Sequence, residues 1–293
     1  MTDFIPKEAG TPIREPAVAN LMIDSADSPL TNGFRTNPWN FVIAQKESIL
    51  NGFFTRLATT EVVLEWNVPN ISAANGNVTL TFTVSGGATT TITLPDGFYT
   101  TYQLITSFID KANAAQAAVT FKLEATTDNT GPPGFFVSAA TGSPNVAFTS
   151  TTLLSQLGIV PTSYATAWYL TNVDLRYYRY LDFVSSLLTG NQNVKDSSTS
   201  AFKRNVLCRW YMAYDNPVAL DLGGWPIFMG YEPFALRRMF SPAKQIRWQP
   251  NMPIGQLDFQ VYGISYAGAG ALVVSPAYDS RSNWLMTIQV SET

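Results

Sequence analysis

Chemistry that depends on imidazole is closed to this chain, because none of its 293 residues is histidine. A Ser-His-Asp or Cys-His arrangement, an HExxH zinc site and an imidazole base are all excluded. The single cysteine, Cys208, can form neither an internal disulfide nor a CxxC metal knuckle. Glu61 and Glu65 share one strand face, yet four residues of strand set them about 13 Å apart. Glycosidase carboxylates stand ~5–9.5 Å apart, so a charged, solvated sheet edge is the better reading. Asp24, Ser25 and Asp27 lie near a turn. Ca²⁺ takes six or more oxygens, and turn and cap hydrogen bonding explains these three residues better.

Ligand-binding signals are equally thin. Gly-Lys never occurs, which rules out a GxxxxGK[ST] phosphate loop. The densest basic spots, Lys203-Arg204 and Arg237-Arg238, are only pairs, whereas a nucleic-acid-packaging arm is a run. With 18 Lys+Arg against 21 Asp+Glu the net charge is −3, so no basic field holds nucleic acid. The sequons Asn70-Ile71-Ser72 and Asn77-Val78-Thr79 read as chance in an Asn- and Thr-rich chain. One stretch stands out. Residues 221–234 place Trp225, Phe228, Met229, Tyr231 and Phe234 among glycines and prolines without a period. Such aromatics are enriched at protein interfaces, and they equally suit a loop folded over the end of a sandwich. Together with Arg237 and Arg238 they are the interface candidates, and no residue is a candidate for catalysis, metal or cofactor.

Elements of one dominant kind carry these residues. Trp39, Phe41 and Ile43 share one strand face by alternation, as do Val62, Leu64 and Trp66; Val206, Cys208, Trp210 and Met212; Leu257, Phe259 and Val261; and Trp284, Met286, Ile288 and Val290. A period of two marks strands with one buried face, and Cys208 is then an inert core residue. Residues 70–163 read differently. Val78, Leu80, Phe82 and Val84 alternate, Gly86-Gly87 turns the chain, and Thr91–Leu94 pairs back. Leu104, Ile105, Phe108, Ile109 and Ala112 then form the stripe of an amphipathic helix over about 101–117. A second hairpin joins Val119, Phe121 and Leu123 to Phe135, Phe136 and Val137. A short helix with Leu153, Leu154 and Leu157 stops at Gly158. The order is ββα-ββα, a small α+β module.

Charge changes with the pattern. Residues 61–170 hold 2 basic and 6 acidic residues, whereas 171–250 hold 10 basic and 6 acidic. Residues 1–16, with Pro6, Pro12 and Pro16, read as an extended arm. The first residues show no apolar signal core, and no apolar run approaches the ~20 residues of a membrane span. Only 13% of residues are charged, against 46% hydrophobic. The surface must therefore be largely Thr, Ser, Asn and Gln, which are less costly to desolvate against a neighbour than charges are. These features predict an all-β fold, a single jelly-roll β-sandwich of residues 17–69 and 165–293, with the α+β module inserted at 70–163.

Several segments resemble the penton, or vertex, capsid proteins of virophages and polinton-like viruses. They are Ile23–Asp27 with Asn37–Ile43, Val62–Asn70, Pro95–Thr100 answered by Leu154–Ile159, Tyr180–Asp196 followed by Leu207–Trp210, and Asp258–Gly268 with Trp284–Glu292. Tyr180–Asp196 is the most specific piece, and the long aromatic loop at 221–234 departs from the pattern. The resemblance implies a structural, non-enzymatic protein of the virion, made inside the infected host cell. Five copies would close the icosahedral vertex, touching major and minor capsid proteins. It implies no sequence-specific nucleic-acid contact. The alternative is a carbohydrate-binding or host-attachment β-sandwich whose 221–234 aromatics stack on sugar.

Overall fold

The structure is a computed structural model. It describes residues 18–28, 30–31, 34–35, 37–44, 54–85, 87–117, 119–124, 134–138, 145–161, 165, 167–170, 173–176, 178–189, 196–197, 203–204, 206–212, 219–220, 226–227, 234–247, 255–265, 271–273 and 282–292. The expected arm at 1–16 lies outside the described residues.

Eight strands in chain order build the sandwich: β1 (Val18–Asp24), β2 (Asn40–Ala44), β3 (Arg56–Trp66), β4 (Tyr178–Val184), β5 (Val206–Tyr211), β6 (Phe234–Met239), β7 (Gln256–Ser265) and β8 (Asn283–Ser291). One sheet runs β1-β8-β3-β6 and the other β2-β7-β4-β5, every pair antiparallel. The first strand therefore pairs with the last, the second with the seventh, the third with the sixth and the fourth with the fifth. That is a long hairpin rolled up until β8 also meets β3 and β7 also meets β4. It is a jelly roll, as the spacing of apolar residues predicts.

The alternation in the sequence becomes the core between the sheets. Trp284, Met286, Ile288 and Val290 of β8 are buried, while Leu285 and Gln289 face out. Val62, Leu64 and Trp66 of β3 meet them from the same sheet. Phe259 and Val261 of β7, Phe183 of β4 and Cys208 of β5 close the core from the other. Trp284 is its centre, with ring centroids 5.3 Å from Phe183, 5.6 Å from Phe41 and 5.7 Å from Phe259. Its indole N–H is satisfied by the carbonyl of Pro38 at 2.7 Å, which lets a polar atom sit in an apolar core. At one point the sheet requires glycine. A Cβ on Gly263 of β7 would lie 2.2 Å from a ring carbon of Tyr178.

One end of the sandwich gathers three of its connections. Trp284 N–H donates to the buried Ser25 hydroxyl at 2.8 Å, and Asn67 N–H to the Ser282 hydroxyl at 2.9 Å. Trp66, closing β3, lies 5.6 Å from Tyr178, opening β4. The chain thus leaves and re-enters the sandwich at neighbouring points, and everything between 67 and 177 is inserted there.

That inserted segment has its own cluster of buried side chains. Helix α1 (Thr101–Ala115) forms where the period shifts to 3.6 and is closed by a capping box between Thr100 and Gln103. It buries Leu104, Ile105, Phe108 and Ala112. Phe82 lies 5.0 Å from Phe121 and 6.1 Å from both Phe108 and Phe148. Helix α2 (Thr152–Gln156) ends near Gly158, whose φ of 69° is the left-handed conformation that favours glycine. The segment holds two strands more than the expected ββα-ββα, Val146–Thr149 and Ala167–Tyr169. Val146–Thr149 returns to pair with Thr79–Val84, which itself pairs with Thr89–Thr93. A second sheet joins Thr120–Glu124, Gly134–Ser138 and Ala167–Tyr169. The buried cluster also takes in Trp168, Leu170 and Leu175, beyond the expected boundary at 163. Strands of three and four residues carry too little alternation to be seen in a sequence.

Both sequon asparagines are structural. Asn77 is fully buried; its amide donates to the carbonyls of Asn70 (2.8 Å) and Gln156 (3.0 Å) and accepts from Ser72 N–H (2.8 Å). Asn70 grips the backbone of Tyr99 at 2.8 and 2.9 Å. Asn77→Ala strands three polar groups, so it is expected to destabilise by about 2–4 kcal/mol. Denaturant unfolding checks this; an unchanged midpoint would contradict it.

Candidate assembly interface

The sequence candidates divide sharply. Trp225, Phe228, Met229 and Tyr231 lie outside the described residues, and of Phe234 only its place as the first residue of β6 is described. Arg237 and Arg238 lie on β6, at one edge of the first sheet. The Arg237 guanidinium binds the Glu61 carboxylate through Nε and, at 3.2 Å, through Nη2. That carboxylate moves the Arg237 pKa above its ordinary value. The pair is largely solvated, so it contributes little to stability. Arg238 stands 5.9 Å from the Phe240 ring and has no acidic partner among the described residues.

The acidic candidates are placed by ordinary structural bonds. Glu61 and Glu65 do face solvent, but the expected sheet edge is corrected: β3 is an interior strand, flanked by β8 and β6. Its two flanking strands are Phe234–Met239 and Asn283–Ser291, far along the chain, which no local pattern reveals. Glu65 accepts from the Asn283 amide at 3.4 Å. Asp24 caps the short 3₁₀ turn Ser25–Asp27 by accepting from Ala26 N–H at 2.7 Å. Burial pushes the Cys208 thiol well up, so it stays protonated.

A cluster that sequence reasoning missed covers the outer face of the second sheet. Asp182 of β4 is fully buried, although it points away from the core. Arg209 of β5 spans it with two bonds, at 2.6 and 2.9 Å, and stacks over Tyr180 at 3.9 Å. Tyr180 meets Tyr211 edge-on at 5.9 Å. Burial lowers the Arg209 pKa, but the bonds and charge of Asp182 outweigh it and the group ends above its ordinary value. The signal was present: Tyr180 and Asp182 alternate with Leu181 and Phe183, and so must share the outer face. No metal-holding cluster of three acidic or thiol groups exists among the described residues. No helix among them is long and apolar enough to cross a membrane.

Comparison with known proteins begins from sequence. No protein-family model matches the chain, and no curated protein does at a significant level. Solved structures do match. A chain from the 3.5 Å cryo-EM structure of the Sputnik virophage aligns over 94% of this chain and 98% of its own, with 14% identity and a TM-score of 0.50. The two chains share a fold. The mavirus penton protein, known from a crystal structure, aligns over 96% of this chain and 100% of its own at 9% identity, with a TM-score of 0.49.

Proposed function

We propose that this chain is a structural, non-enzymatic protein of a viral capsid, a penton whose five copies close the icosahedral vertex and contact neighbouring major capsid capsomers. The observation that carries this reading is the jelly-roll fold, which aligns over 94% of the chain with a chain of a virophage. The penton-like segments support it, above all Tyr180–Asp196 followed by Leu207–Trp210. So does the low charge, 13% of residues, which suits a surface that packs against neighbours. A closed ring needs two different patches, one meeting the other on the next copy.

The inserted segment is the outward-facing part in this reading. We place the insert as a separate unit because its buried cluster is distinct from that of the sandwich and its two ends meet at Trp66 and Tyr178. Replacing residues 70–175 by a short Gly-Ser bridge is expected to leave a cooperatively unfolding protein with β-type circular dichroism. Loss of both would make the insert part of the main core.

Native mass spectrometry of the purified chain at high concentration tests the ring itself. Five-copy assemblies are expected. Monomers that bind glycans at every concentration would favour the host-attachment alternative.

A further inference from the structure

The first sheet ends in two unlike edges. All seven residues of β1 pair with β8, and no described strand lies on its other side. Val18 to Ile23 contain no charge, proline or glycine, and Val18 and Met22 are 58% and 78% exposed. Bare edges of this kind are templates for a further strand, and proteins normally guard them with charges, prolines or bulges. The opposite edge is charged: β6 carries Arg237 and Arg238, and Gln245–Arg247, which pairs below it on β3, carries Arg247.

Register across the sheet decides which residues stand level. Asp24 faces Leu285, Leu285 faces Val63 and Val63 faces Arg237. One step along, Ile23, Met286, Val62 and Arg238 form a row, and in the next Met22, Thr287, Glu61 and Met239. β1 and β6 run in opposite senses, because three antiparallel pairings separate them. A rotation about an axis along the strands changes neither height nor sense. A head-to-tail ring about such an axis therefore brings β6 of one copy antiparallel to β1 of the next. Arg237 then stands level with Asp24, and Met239, 69% exposed, level with Met22. Opposite charges meet in one row and two exposed methionines in another, with no shift along the edge.

We propose that β6 of one copy docks along β1 of the next copy, Met239 against Met22 and Arg237 against Asp24. The proposal rests on the five-copy ring proposed above and assigns the surfaces that form it. Methionine suits such a seam, being flexible enough to fit a neighbouring surface.

Cross-linking separates this assignment from the ring. The double variant Met22→Cys/Met239→Cys places thiols at two exposed sites, while the native Cys208 is buried. On oxidation it is expected to give covalent products up to five copies, reversed by reductant, whereas each single variant gives none beyond two. Five-copy rings of the unaltered chain with no cross-linking of the double variant would overturn the edge assignment and leave the ring standing. Absence of both would overturn the two together. Met22→Lys, which sits in solvent in the monomer, is expected to keep the fold and lose at least nine-tenths of the rings. Unaltered ring formation by that variant would also overturn the assignment.

Discussion

Met286→Asp is expected to yield no folded protein. Met286 is 1% exposed and lies between Trp284 and Ile288 on the inward face of β8, with the Thr59 hydroxyl 3.8 Å from its sulfur. An aspartate there buries a carboxylate with no cation in the core. The group then either pays desolvation as an ion or is forced to take up a proton, and the site loses its apolar contacts as well. The penalty, about 5 kcal/mol or more, matches the whole stability of an ordinary domain. Met286→Leu keeps the volume and is expected to cost under about 1.5 kcal/mol. Soluble yield and near-ultraviolet circular dichroism check both variants. A soluble, natively folded aspartate variant would mean that the faces of β8 are reversed.

Arg209→Leu is the second large effect. It removes both bonds to a carboxylate that is fully buried on the outer face of the second sheet. Breaking a buried pair from one side costs about 3–5 kcal/mol, because the remaining charge is left uncompensated. The double variant Arg209→Leu/Asp182→Leu removes that charge too. It is expected to recover most of the loss, since apolar replacement of a buried pair is often neutral or better. A thermodynamic cycle by chemical denaturation reads the coupling. Equal destabilisation by the single and double changes would show that Arg209 acts through its stacking on Tyr180 instead.

These two sites show what the sequence could and could not reveal. The faces of β7 and β8 were legible because burial alternates along each, which forces the period of two. Along β5 the alternation breaks, since Val206, Leu207 and Cys208 are all buried. Helix α1 was legible by its apolar stripe and its cap. Pairing order was not, since β3 meets β6 and β8 across most of the chain length, and local patterns carry no information about partners. Thus Glu61 reads as an edge residue when it lies mid-sheet, bound to an arginine 176 residues away. Asp182 reads as exposed because alternation places it outward. Only the neighbouring strand reveals that Arg209 binds it with two hydrogen bonds. The edge at β1 is invisible for the same reason: among the described residues it is defined by having no strand on its outer side. Arg237 and Arg238 read as a basic pair in the sequence, and only strand pairing places them on the opposite edge of the same sheet.

The central claim, that this chain closes the vertex of a viral capsid, is tested most directly by a cryo-EM reconstruction of assembled particles that contain it. Density for the jelly roll is predicted at the five-fold vertices, one copy per wedge, with the insert pointing outward. Density at quasi-six-fold positions, or only on the inner face of the shell, would contradict it.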